Sequence, residues 1–166
     1  MTRKYVNDRW CARCGKKGAT PFVREMLLKH GNFFTNKSTM VDIGCGNGRN
    51  SEYFRQMYNT VDSLDMVADY QHGTEFKLGK EEFPQPIYDV VLANYIFMFL
   101  NKRERAQVKR QIQSSTDKDS IMLIEMYAAK DAHPYDFKAE FVEYFKKRGW
   151  EALVNRKDKC FMRRLK

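Results

Sequence analysis

Long hydrophobic runs are missing from this sequence. No apolar stretch reaches the ~18 residues needed to cross a bilayer. The opening Met-Thr-Arg-Lys-Tyr-Val-Asn-Asp has no apolar segment of the kind a secretory signal needs. Gly/Ser-rich linkers, low-complexity tracts and internal repeats are absent too. The 166 residues therefore predict one domain, 20–166, behind an irregular arm, 1–19. Cysteine is scarce: four in a chain without an export signal argue for reduced thiols and a cytoplasmic setting. Cys11-Ala-Arg-Cys14 has the spacing of half a zinc knuckle, but no second Cys/His pair follows. A structural zinc takes four ligands, so no metal is expected.

Negative charge is also short, and unevenly so. The net charge is +9, with eight Lys/Arg against two acids in residues 1–30 and nine against two in 146–166. Residues 62–89 reverse the balance, with seven acids against two lysines. An acidic middle suits a cationic ligand, whereas basic ends suit a polyanionic partner such as nucleic acid or are simply solvated lysines.

What the sequence does have is a glycine loop. Val41-Asp-Ile-Gly-Cys-Gly-Asn-Gly48 reads as a buried strand that breaks at Gly44, Gly46 and Gly48 and feeds a helix, about Arg49–Tyr58, with Tyr53, Phe54, Met57 and Tyr58 at helical spacing. Glycine permits both the sharp turn and the close backbone approach of a nucleotide-like ligand. The dinucleotide fingerprint G-x-G-x-x-G would place a third glycine where Arg49 stands, so a nicotinamide or flavin fits poorly. Two further segments keep company with the loop. Asn59–Met66 is a second strand ending in Asp65, 23 positions after Asp42, and Tyr88-Asp-Val-Val-Leu-Ala-Asn94 leads an aromatic-acid pair into a buried strand with a polar end.

The acid-x-G-x-G-x-G pattern at Asp42–Gly48 resembles the first motif of class I S-adenosylmethionine-dependent methyltransferases, and Tyr88–Asn94 resembles their fourth. Within that class, Tyr88–Leu100 and the closing helix–Gly149-Trp150 look most similar to small tellurite-resistance-type methyltransferases. The resemblance implies S-adenosylmethionine as cofactor and methyl transfer as activity. It also implies residue roles. Asp42 would face the cofactor's methionine end, and Gly44, Gly46 and Gly48 would give it clearance, with Cys45 and Asn50 in the same loop set. Asp65 would hold the ribose hydroxyls by a bidentate contact and Met66 would pack on the adenine. Ala93 and Asn94 would lie beside the sulfonium and its methyl group.

The elements follow from local signals. Thr20 as N-cap and Pro21 at the first helical position open a helix to about His30. Strands are expected at Thr39–Ile43, Thr60–Asp65, Tyr88–Ala93 and Ser120–Met126, and helices at Lys102–Ser114 and Asp136–Arg148, the last stopped by Gly149. Residues 66–84 are too poor in pattern for the full helix the family places there. A short strand near Glu75–Leu78 is all that fits. Two final strands, about Glu151–Asn155 and Lys159–Leu165, would pair as a hairpin. The sum is an α/β fold: a Rossmann-like doubly wound sheet of about seven strands, mostly parallel with an antiparallel final strand, abbreviated after strand two.

The acceptor stays open between a small molecule and a nucleic acid, because fold membership names no substrate. Asn94 and His133 are the candidate catalytic residues, His133 as a base on the rim after strand five. Tyr95, Phe97 and Phe99 are read as core aromatics in preference to a base-stacking platform. A non-catalytic cofactor-binding or nucleic-acid-binding module is the alternative, motivated by the short 66–84 segment. The oligomeric state is not legible.

Overall fold

A computed structural model describes residues 18–67, 70–126 and 137–166. The predicted arm therefore lies outside the described residues except for Gly18 and Ala19. The same is true of Cys11, Cys14 and His133. The elements in chain order are α1 (Pro21–His30), β1 (Thr39–Ile43), α2 (Arg49–Arg55), β2 (Thr60–Asp65), β3 (Gly73–Glu75), β4 (Val90–Asn94), α3 (Lys102–Ser114), β5 (Ile121–Glu125), α4 (Phe137–Lys146), β6 (Trp150–Asn155) and β7 (Lys159–Arg164). The seven strands form one sheet in the order β3-β2-β1-β4-β5-β7-β6. Parallel pairing runs from β3 to β5, and β7 is antiparallel to both of its neighbours. This is the expected doubly wound sheet with one reversed final strand.

Side-chain alternation along each strand sorts the core into two layers. Met40, Val61, Val90, Leu92, Ile121 and Leu123 face one way and pack with Phe22, Val23 and Met26 of α1 and Phe54 of α2. Val41, Ile43, Leu64, Val91, Ala93, Met122 and Ile124 face the other, against Val108 and Ile112 of α3 and Phe141 and Phe145 of α4. The central strands β4 and β5 are buried at every position, as the near-continuous apolar runs require.

The same alternation puts four polar side chains on the α1/α2 face: Asp42, Asp65, Asn94 and Glu125. Register sets their heights. Asp42 pairs with Ser63 and Leu92, so Asp65 and Asn94 stand two residues higher on either side of the β1 end, and Asn94 pairs with Glu125. The switch of connection direction between β1 and β4 falls here, at the carboxyl ends, where α/β sheets hold their ligands.

Several element boundaries differ from the sequence expectation. Helix α2 stops at Arg55, and Met57 and Tyr58 both hydrogen-bond back to the Phe54 carbonyl. Tyr58 turns inward to stack on Phe54 at 5.4 Å, while Tyr53 and Met57, which helical spacing placed on the core face, are exposed. The third strand is Gly73–Glu75, earlier than expected, because Phe76 and Leu78 leave the sheet to join the core beside Phe83. Strand β4 begins two residues late. Asp89 is spent instead on accepting hydrogen bonds from the Ser38 and Thr39 amides, at 2.8 and 3.0 Å. The chain's last helix ends at Lys146, two residues before the predicted 148. Phe97 is fully buried and stacks on Phe141, with Phe99 packed against the same core, whereas Tyr95 stays at the rim.

Candidate cofactor site at the carboxyl ends of the strands

The glycine loop is built from left-handed backbone. Gly44, Gly46 and Gly48 have φ of 73, 55 and 72°, a region that favours glycine. Space forbids side chains as well. A Cβ on Gly44 would stand 2.9 Å from Ile96, and one on Gly48 would stand 2.4 Å from the Tyr70 ring. The loop is also tied to β2. The amides of Gly44 and Cys45 both donate to the Leu64 carbonyl, and the Gly46 amide donates to Asp65 Oδ2 at 2.8 Å. Asp65 Oδ1 accepts from the Val67 amide at 3.2 Å. Two backbone donors thus orient this carboxylate. Met66 beside it is exposed, an apolar surface open to a flat ligand.

Asp42 lies deeper. It is 2% exposed and accepts a hydrogen bond from Ser51 Oγ at 2.7 Å. Burial pushes its carboxyl up from 3.8 to about 6, with Asp65 adding to the rise and Ser51 opposing it. Neither neighbour is cationic, so a positive ligand at the loop would meet an uncompensated buried acid. Cys45 is buried with its thiol raised, chiefly by desolvation, and is no nucleophile. Asn50, 5% exposed, accepts from the Thr20 amide at 2.8 Å.

On the β4/β5 side stands a cluster that the sequence reading missed. Glu125, 1% exposed, ends β5. Its Oε1 accepts from Asn94 Nδ2 at 3.1 Å and from the Thr20 hydroxyl, and its Oε2 accepts from the Tyr95 hydroxyl at 3.4 Å. The Tyr95 amide donates to the Glu125 carbonyl at 2.6 Å. Tyr95 itself has φ of 58°, a strained choice for a residue with a Cβ. Burial raises the Glu125 carboxyl, against the hydrogen bonds and the charges of Lys159 and Arg49. Among the described residues, Asn94 Oδ1 and Arg49 Nε are buried without a hydrogen-bond partner. A lone carboxylate ending an apolar strand was the available signal for Glu125. The eye passes over it because the run Ile121–Ile124 reads as pure core. Ala93, fully buried, contributes backbone only.

The structure thus brings Asp42, Gly44, Cys45, Gly46, Gly48, Asp65, Met66 and Asn94 to one rim. Among the described residues, no His/Cys/Asp/Glu group is arranged to hold a metal ion, and no helix is long and apolar enough to cross a membrane. The sheet order, the reversed β7 and the glycine loop at the switch point define the Rossmann-like methyltransferase class. Solved structures agree on the fold. A TehB-like S-adenosylmethionine-dependent methyltransferase from Corynebacterium glutamicum matches with a TM-score of 0.67 and 17% identity, over 98% of this chain and 97% of that one. TehB from Haemophilus influenzae matches at 0.68 and 19%, over 98% of this chain and 66% of that one. An amino pentose methyltransferase from Micromonospora echinaspora matches at 0.69 and 10%, over 99% and 98%. No curated protein matches in sequence. The family model for the tellurite resistance protein TehB matches residues 28–158. The chain belongs to the TehB family.

Proposed function

We infer that the protein is an S-adenosylmethionine-dependent methyltransferase, one domain over 20–166 acting in the cytoplasm on a small-molecule or nucleic-acid acceptor. The observation that carries this reading is the Gly46–Asp65 hydrogen bond, which holds a carboxylate at the end of β2 against the glycine loop. S-adenosylmethionine supplies a methyl group already activated on a sulfonium. The residues here fit that molecule. Asp65 takes both ribose hydroxyls, Met66 lies on the adenine, and the backbone of the glycine loop with Cys45 runs along the chain between them. Asp42 complements the positive charge, and the unpaired Nε of Arg49 faces the demand of the cofactor's carboxylate. Asn50 acts through Thr20, by holding the start of α1 in place. Ala93 and Asn94 border the methyl group.

The chain's task is then alignment and exclusion of water. Positioning two reactants can supply roughly 7–11 kcal/mol at best. Burial of Asn94 and Glu125 keeps the β4/β5 rim dry, which strengthens polar contacts made there. His133 remains the candidate base for acceptors that must lose a proton. Calorimetry tests the reading: no binding of S-adenosylmethionine at millimolar concentration would sink it, and would sink the alternative of a non-catalytic cofactor-binding module with it. Binding without any transfer of labelled methyl to cell-extract fractions would favour the module.

A further inference from the structure

Two carboxylates bracket β1 and are treated in opposite ways. Asp89, at the amino end, accepts from the amide and hydroxyl of Ser38 at 2.8 and 3.3 Å and of Thr39 at 3.0 and 3.1 Å. Partial burial raises its carboxyl, these donors lower it more, and the balance lies below the ordinary value. Asp42, toward the carboxyl end, is far more deeply buried, yet Ser51 is the one residue that donates to it. A buried charge needs a partner, and the surroundings of Asp42 supply no cation. From β2, Asp65 repels it, and the Cys45 thiol of the loop is pushed up by burial and by both acids. From β4 come the neutral Leu92 and Asn94, and from α1 the apolar Phe22, Val23 and Met26. The α2 arginines are engaged elsewhere: Arg55 with Val61, Ser63, Tyr70 and His72, and Arg49 in the field of Glu125. The chain thus keeps one fully partnered acid for structure and one acid short of positive charge at the cofactor loop.

We propose that Asp42 is a specificity-determining residue that tells the loaded cofactor from its spent form by the charge on sulfur, holding S-adenosylmethionine with Asp42 ionised and S-adenosylhomocysteine with Asp42 protonated. This rests on the methyltransferase reading above. The two molecules share the ribose, the adenine and the amino-acid carboxylate. They differ at sulfur. On methyl transfer the acceptor's lone pair takes the methyl carbon, the electron pair of the broken carbon–sulfur bond stays on sulfur, and a sulfonium becomes a neutral thioether. Every other titrating group of protein and ligand is common to both complexes, so its effect cancels in the ratio of the two affinities. In the free protein the Asp42 carboxyl stands at about 6. A sulfonium lowers it, so cofactor binding expels the proton below that pH and tightens as pH rises through about 6. A thioether adds burial without charge, so binding of the spent form keeps or gains the proton and does not tighten over the same window. At neutral pH the loop therefore favours the loaded form and sheds the spent one, whereas acid conditions retain the spent form.

The test is titration calorimetry on the full chain between about pH 5 and about pH 7, in buffers of different ionisation heat so that protons are counted. The probes are S-adenosylmethionine, S-adenosylhomocysteine and sinefungin, which carries an ammonium group where the cofactor has its sulfonium. Affinity for S-adenosylmethionine is expected to rise roughly tenfold across this range, with release of about one proton at the acid end. Sinefungin is expected to follow it, because charge and not sulfur is read. Affinity for S-adenosylhomocysteine is expected to stay level or fall, with no proton released. In Asp42→Asn the ratio of the affinities for S-adenosylmethionine and S-adenosylhomocysteine is expected to become independent of pH. Ser51→Ala, which removes the one side-chain donor, is expected to move the midpoint to higher pH and serves where Asp42→Asn does not fold. Parallel pH curves and equal proton counts for all three ligands in the wild type overturn the proposal. An unchanged pH dependence in a folded Asp42→Asn, or an unmoved midpoint in Ser51→Ala, overturns the assignment to Asp42. The failures stay apart: no binding of S-adenosylmethionine at any pH removes the methyltransferase reading, whereas binding with parallel curves removes this inference alone.

Discussion

The two halves of the rim are built in opposite ways. On the β2/β3 side the strand partner is three residues long, Met66 is exposed, and Asp65 is held by loop amides. On the β4/β5 side every strand residue is buried, and Thr20, Asn94, Tyr95 and Glu125 bond one another from three separate segments. The difference teaches a division of labour. A half bounded by loops and an exposed apolar side chain admits a large, flat ligand and lets it leave. A half with a buried polar network has fixed donors and acceptors, which suits discrimination between acceptors.

The thin half is nevertheless tied down. Arg55 on α2 donates to the Val61 carbonyl at 2.8 Å, Ser63 Oγ at 3.1 Å and the His72 carbonyl at 3.3 Å, and its Nε reaches the Tyr70 hydroxyl at 3.2 Å. Tyr70 in turn donates to Glu52 at 2.5 Å and lays its ring where a Gly48 Cβ would be. One arginine fork spans α2, β2 and the segment before β3, in a stretch too short for the family's usual helix.

These contrasts can be broken experimentally, and the largest effect should come from the thin half. Asp65→Ala should weaken S-adenosylmethionine binding about a hundredfold or more, about 3 kcal/mol, since the ribose role proposed for Asp65 consists of two charge-assisted contacts. Calorimetry that finds unchanged affinity would refute the ribose assignment, while the β4/β5 network should keep its amide protection throughout.

Asp42, below the boundary between the halves, sets a pH dependence. Its folded carboxyl is raised above its unfolded value, so the folded state binds the extra proton. Stability conferred by that proton is present below about 4 and is lost as pH rises toward about 6. Relative to Asp42→Asn, the wild type should therefore lose up to about 3 kcal/mol across this window, with denaturant melts at each pH as the measurement. Bound cofactor should shrink the difference, because a nearby positive charge lowers the carboxyl again. A difference curve that is flat or rises would contradict both statements.

Gly48→Ala sharpens the comparison at its hinge. A left-handed backbone with a side chain, plus displacement of the Tyr70 ring, should cost about 2 kcal/mol in chemical denaturation. Smallest is Arg55→Ala, at about 1 kcal/mol. Its signature is local: amide exchange should quicken through residues 70–76 and stay unchanged at Asn94 and Tyr95. Equal acceleration on both sides would mean that the halves are one cooperative unit and not two.

How much of this was legible depended on whether a signal was local. The strand–glycine loop–helix, the Thr20 N-cap, the Lys102–Ser114 helix with Val108 and Ile112 inward, and the closing hairpin all rest on neighbours in sequence, and the structure has them. The end of α2 was misread because helical spacing treats Tyr53, Met57 and Tyr58 alike. Only tertiary packing on Phe34 and Phe54 decides that Tyr58 alone turns in. The third strand was placed too late because Phe76 and Leu78 look like strand residues, whereas the core beside Phe83 needed them more than the sheet did.

The sequence by itself determined the cofactor loop. Three alternating glycines and the acid before them are neighbours along the chain, the acid ending the next strand is only one helix further on, and backbone sterics leave little choice about what the loop forms. Only the tertiary structure decided the other half of the rim. Thr20, Asn50, Asn94 and Glu125 are separated by up to 105 positions and meet because parallel pairing aligns the carboxyl ends of β4 and β5 beneath the start of α1. A hydrogen-bond network of this kind is a property of register and of which face each residue takes, and neither exists until the sheet has formed.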